Sequence, residues 1–155
     1  MKLTTTITSL DKEDLINLFS TATYGSNWLY ITTPKGFADD ISKEEASCRE
    51  EIWAEVLLHG RMLYGVDATA EGEVFNDRGR VVEENEEEVE YPFTLDGIIE
   101  QLNKAANGTF ICPDESTKLF AARAVASFAC DSSDFDLTYA DALMQIILFN
   151  EIIYG

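Results

Sequence analysis

Positive charge is scarce in this sequence. Only 11 Lys and Arg stand against 29 Asp and Glu, a formal net charge of −18. The few basic residues are dispersed, which argues against the chain itself gripping a phosphate backbone. There is a single histidine, His59, so any zinc site or Ser-His-Asp set would rest on that one imidazole. The three cysteines, Cys48, Cys112 and Cys130, are odd in number and widely spaced, which is neither a disulfide framework nor a zinc pattern. Cys48 and Cys130 read as small buried hydrophobes. All three are expected to be reduced thiols.

Other signals are missing as well. There is no Walker loop, no G-x-G-x-x-G and no G-x-S-x-G, so no nucleotide cofactor or nucleophile elbow is implied, and no cofactor is expected. The first residues, Met1 to Thr8, lack the apolar core of a signal peptide. No apolar run approaches the roughly 18 residues of a membrane span. The expectation is a cytoplasmic protein with no membrane partner.

What is present fits one globular domain over residues 1–155, with 46% hydrophobic residues, enough for a sizeable core. Five segments carry helical periodicity. The first runs from about Leu10 to Thr23, where Asp11 and Asp14 resemble a capping box and Leu15, Ile16, Leu18, Phe19 and Ala22 share a face. The second is expected to start at Ser42, with Glu45 three residues on, and to end at Gly60. Its stripe is Ile52, Trp53, Val56 and Leu57, and Glu44, Glu51 and Glu55 lie opposite, with His59 near Glu51 and Glu55. The third, about Leu95 to Ala106 with Thr94 as cap, has the cleanest apolar face, and Asn107-Gly108 stops it. The fourth begins near Pro113, a suitable first-turn residue. It is apolar nearly all round from Leu119 to Ala129, and is expected to be central. The fifth, about Leu137 to Ile152, is expected to be buried on most sides or to meet another subunit, making a homo-oligomer through the C-terminal helix. Phe120, Val125, Phe128, Leu143 and Ile147 are the expected core positions of the last two helices.

Between the second and third helices the period shifts toward two. Met62 to Asp67 reads as a strand buried on much of both faces. Val89, Tyr91 and Phe93 alternate in another, and Pro92 places that strand at a sheet edge because it cannot donate to a ladder. A short strand is expected at Trp28 to Ile31, and one more at Thr109 to Cys112. Helices, then a hairpin, then helices define an α+β fold, about five helices on a small antiparallel sheet.

The candidate chemistry is carboxylate chemistry. Glu83, Glu84, Glu86, Glu87, Glu88 and Glu90 form one biased tract, read as a solvated loop. With Glu44, Glu51 and Glu55 they are the candidate partner-binding residues. Spaced carboxylates can stand in for phosphates along a duplex, so a basic protein is the expected partner, with no direct nucleic acid. No catalytic or metal residue is assigned. Asp131, Asp134, Asp136 and Asp141 could supply oxygens to a hard cation, but they lack the spacing and central glycine of a calcium loop. Capping of the fifth helix by Asp134, Asp136 or Thr138 is the plainer reading. The aromatics Tyr24, Trp28, Tyr30 and Phe37, with Trp53, either anchor an interface or plug the end of a core.

Three stretches carry a resemblance: Tyr24 to Asn27, Lys104 to Phe110, and Asp141 to Ile146 continuing through Asn150 to Gly155. In these the chain resembles small acidic proteins of phages and conjugative elements of gut bacteria. The resemblance implies a role in conflict between mobile element and host, such as blocking a nuclease or restriction system. It implies no active site, because none of the stretches is a chemical motif. Two other readings stand beside it: a structural or oligomeric protein whose acidity serves only solubility, and an enzyme working through carboxylates, with or without a metal.

Overall fold

A computed structural model describes residues 5–24, 26, 28–33, 48–67, 90–130 and 133–153. Among these residues five helices and three strands follow in the order α1 (Lys12–Thr23), β1 (Leu29–Thr32), α2 (Arg49–Leu58), β2 (Leu63–Asp67), β3 (Glu90–Phe93), α3 (Leu95–Asn107), α4 (Glu115–Ala129) and α5 (Leu137–Phe149). The strands make one antiparallel sheet in the order β1-β2-β3. The fold is α+β, as the alternation of periods predicts.

Local chemistry sets the helix ends. Asp11 accepts from the Asp14 N–H, and the Asp14 carboxylate accepts from the Asp11 N–H, a reciprocal capping box. Thr94, Asp114 and Asp136 cap α3, α4 and α5 through the N–H groups of Gly97, Thr117 and Tyr139. At the end of α2, Gly60 takes φ 78. Its N–H reaches Leu57 O and the Arg61 N–H reaches Val56 O, the paired bonds of a Schellman stop. Asn150 ends α5 in the left-handed region at φ 60, the one non-glycine residue to do so among those described.

Pro92 lies on β3, which pairs only with β2 among the described strands, so its missing N–H weakens no inner ladder. Leu63, Gly65 and Val66 of β2 are buried, as expected for a middle strand. A Cβ on Gly65 would stand 2.5 Å from a Leu148 methyl; glycine lets the end of α5 press onto the sheet. There Phe149 packs on Trp28 at 5.6 Å and on Tyr91 at 4.8 Å between ring centroids. Phe19 meets Phe93 at 6.2 Å and Trp53 at 5.9 Å.

Packing departs from the periodicity in several places. Helix α5 is the central element, touching α1, α3, α4 and β3, and its residues from Ala142 to Ile147 are all buried. Helix α4 packs on α3 and α5 but turns its opposite face outward. The expectation that both late helices are central therefore holds for α5 only. Phe120 is partly buried, resting on Tyr139 at 5.2 Å, while Val125, Phe128, Leu143 and Ile147 are core. Alanine-rich sequence allows close approach on every side, but two neighbours cover only one arc of a helix.

The helix starts need correction too. Described α2 begins at Arg49 with Cys48 in the N-cap position, making no side-chain cap bond; Ser42 and Glu45 lie outside the described residues. Helix α4 starts at Glu115, because the Asp114 carboxylate, not Pro113, satisfies the first free N–H groups. Helix α5 stops at Phe149 rather than Ile152. The Thr109 to Cys112 segment contributes a single parallel bridge, Ile111 to Glu151. Cys48 and Cys130 are exposed, not buried: each flanks a helix end, where the backbone has already turned toward solvent. All three cysteines are free thiols. No described helix is long and apolar enough to cross a membrane.

Candidate functional site

Of the carboxylates singled out in the sequence, Glu51, Glu55 and Glu90 fall within the described residues; Glu44, Glu83, Glu84, Glu86, Glu87 and Glu88 lie outside them. Glu90 is exposed, as the first residue of β3. Glu55 is not a free acid. It stands 2.9 Å from Lys12 Nζ, reaching across from α1, and 3.3 Å from His59 Nε2, one turn on. Its side chain keeps only 15% of its exposure. The face expected to show three carboxylates thus has one of them tied into the α1–α2 contact. Sequence shows Lys12 only as a solvated charge; the packing of α1 on α2 makes it a partner.

Among the described residues, most of the other acids sit at helix starts. Glu13 and Asp14 lie in the first turn of α1, Glu50 and Glu51 in that of α2, Asp96 in that of α3 and Glu115 in that of α4. Carboxylates there meet unpaired N–H groups and the positive end of the helix dipole. The Asp114 carboxyl is held below its ordinary pKa, first by the Thr117 side chain, then by the Thr117 N–H at 2.7 Å and the Ser116 hydroxyl at 2.9 Å. For Glu50 partial burial pushes the pKa up. The Arg49 hydrogen bond at 2.7 Å, a backbone N–H, the Arg49 charge and the Cys48 thiol together outweigh it, and the carboxyl ends below its usual range.

Asp141, one of the four aspartates considered for a cation, has a different role. It accepts from the Trp28 indole N–H and, at 2.8 Å, from Gln145 Nε2. The Gln145 carbonyl oxygen then accepts from the Ile153 N–H at 2.8 Å. Gln145 is fully buried, so this chain of bonds satisfies a polar group that would otherwise be costly. It ties β1, α5 and the C-terminal segment together. Asp136 caps α5, Asp134 is exposed, and Asp131 lies outside the described residues. Among the described residues no three His, Cys, Asp or Glu side chains gather as a metal site.

Trp28 and Trp53 are buried and serve the core, whereas Tyr24 is 83% exposed. Phe37 lies outside the described residues. Sequence reasoning passed over Gln101, Asn103 and Gln145. Gln101 bonds Ile146 O and Asn150 from α3, and Asn103 exchanges bonds with the Ile7 backbone at 2.7 and 2.8 Å. The available signal was an amide at the margin of an apolar helix face, a position where burial demands a partner.

Two grooves are lined by described residues. One, of about 420 Å³, runs beside the outer face of α4 and is lined by Asn107, Gly108, Glu115, Lys118, Leu119 and Arg123 among others. The other, of about 310 Å³, lies where β3 meets α3, beside Met62, Pro92 and Glu100. Neither brings together a nucleophile, a base and an oxyanion donor. Comparison with protein families, curated proteins and solved structures finds no match for this chain.

Proposed function

We propose that this is a non-enzymatic acidic binding protein, acting in the cytoplasm, whose carboxylates engage a basic protein that normally holds nucleic acid. One observation carries the reading. Among the described residues, four of the six Lys and Arg side chains stand within ion-pair distance of the chain's own carboxylates, while several acids stay exposed. Lys12, Arg49, Lys104 and Lys118 are within ion-pair distance of Glu55, Glu50, Glu100 and Glu115. Glu13, Glu90, Asp96, Asp114 and Asp136 remain exposed. A net charge of −18 then projects a field that steers basic partners and repels phosphates. In the mobile-element setting implied by the resemblance, the protein blocks a nuclease or restriction factor by occupying the Lys and Arg contacts meant for DNA. The tract from Glu83 to Glu90 is the proposed contact on sequence grounds; only Glu90 of it is described.

The test is a pull-down from host lysate with wild type and the Glu84→Lys/Glu87→Lys/Glu88→Lys variant, at low and high salt. A basic, nucleic-acid-binding protein should be retained by wild type, released by salt, and lost with the triple variant. Exposed charges are screened beyond about 8–10 Å near physiological ionic strength. Retention of no basic protein, or equal retention by both proteins, sinks the reading. A second reading, acidity for solubility and folding alone, is favoured by the helix-start carboxylates, which already have a structural use.

A further inference from the structure

The outward stripe of α4 is self-complementary, and we propose that it docks on the same stripe of a second copy of this chain. Three residues at equal spacing define it. Glu115 opens the helix, 3.5 Å from Lys118 Nζ, and keeps a side chain 91% exposed, open to a second cation. Leu119, four residues on, is 48% exposed, a large apolar side chain left in water. Arg123, four further, is exposed, and among the described residues it forms no ion pair. At 3.6 residues per turn, Glu115 and Arg123 lie about 40° to either side of Leu119 and about 6 Å along the axis from it. An antiparallel pair of α4 helices, with its two-fold axis through Leu119, therefore sets Glu115 of each copy opposite Arg123 of the other. The two Leu119 side chains meet on the axis, as an isologous contact requires. Ala122 and Ala126, on the same flank, are small enough for close approach. The groove beside them, about 420 Å³, leaves room for the incoming helix over Asn107 and Gly108.

One helix face buries less than the about 800 Å² per partner of a standard interface, so the association is weak and concentration-dependent. It also runs against the repulsion of two chains of net charge −18. Added salt screens that long-range repulsion more than it weakens pairs in contact. Self-association should thus strengthen with salt, opposite in direction to capture of a basic partner. The two proposals can fail separately.

Sedimentation velocity with reductant present, since Cys130 is exposed, is the test. Wild type should shift from monomer toward dimer as protein concentration rises, more so at about 0.5 M salt than at low salt. Arg123→Glu and Glu115→Arg should each weaken dimerisation by about tenfold or more, because each places like charges together twice. The double exchange Glu115→Arg/Arg123→Glu should restore it, and Leu119→Gln should weaken it at either salt. Thermal melts of each variant at dilute concentration confirm the fold. Wild type that stays monomeric at every concentration and salt overturns the proposal. So does a double exchange that fails to recover what the single changes lose.

Discussion

Helices α4 and α5 look alike as sequence and differ as structure. Both are apolar almost all round, and α4 has the more permissive alanines. Yet α5 is buried from Ala142 to Ile147, while α4 buries Ala121, Ala124, Val125 and Phe128 on one side and exposes Leu119 and Arg123 on the other. What separates them is the number of neighbours. The sheet and three helices close around α5, while the main neighbours of α4 among the described elements are α3 and α5. Apolar composition states what a helix tolerates; coverage is decided by what the rest of the chain brings to it.

The comparison is sharpest at its extremes. Leu143→Ala on α5 removes a side chain with no exposure, and should cost about 3–5 kcal/mol in denaturant unfolding. Phe128→Ala, on the inner face of α4, should cost a similar amount, because that face shares the core and Phe128 stacks on Phe135 at 5.2 Å. A loss under about 1 kcal/mol at either position would mean that its helix is less firmly packed than this arrangement requires.

Next in size is the polar chain inside α5. Gln145→Ala leaves the Ile153 N–H and one Asp141 oxygen without their partner, and should cost about 1–3 kcal/mol. Trp28 fluorescence should respond, since its indole bonds the same Asp141. An unchanged emission spectrum would argue that the network does not hold β1 to α5. Thr94→Ala, which removes the α3 cap at Gly97, should cost about 1 kcal/mol by the same melts.

The smallest effects belong to the outer surface. Leu119→Ala should change stability by no more than about 0.5 kcal/mol in dilute solution, the counterpart on α4 of the large loss on α5. The Asp114 carboxyl titrates below its ordinary value when folded, so its contribution is present above the unfolded pKa near 3.9 and is lost as pH falls through the lowered value. Asp114→Asn should therefore melt slightly below wild type at neutral pH, and the gap should close in acid. A gap that is the same at both pH values would show that the charge has no part in the cap.

Much of the fold was legible because it is local. Asp11 with Asp14, Thr94, Gly60, Gly108 and the alternation of Tyr91 and Phe93 each act within a few residues, where hydrogen-bond reach and side-chain period leave few alternatives. The same locality placed Pro92 on an edge strand. The candidate site was less legible. Glu55 reads as a solvated acid until α1 brings Lys12 to it, and Asp141 reads as a cation ligand until Trp28 arrives from far away in the chain. Cys130 follows an apolar run in sequence, yet it and Cys48 both stand exposed at helix ends in space.

By itself the sequence determined the charge, the helix starts at Asp11 and Thr94, the stops at Gly60 and Gly108, the five helices and the antiparallel class of the sheet. These rest on composition and on interactions a few residues long. Only the tertiary structure decided that α5 is the core and α4 its flank, that Glu55 is neutralised across a helix pair, and that Glu115, Leu119 and Arg123 face outward together. Each of those depends on which distant elements meet, because burial and pairing are properties of neighbours in space.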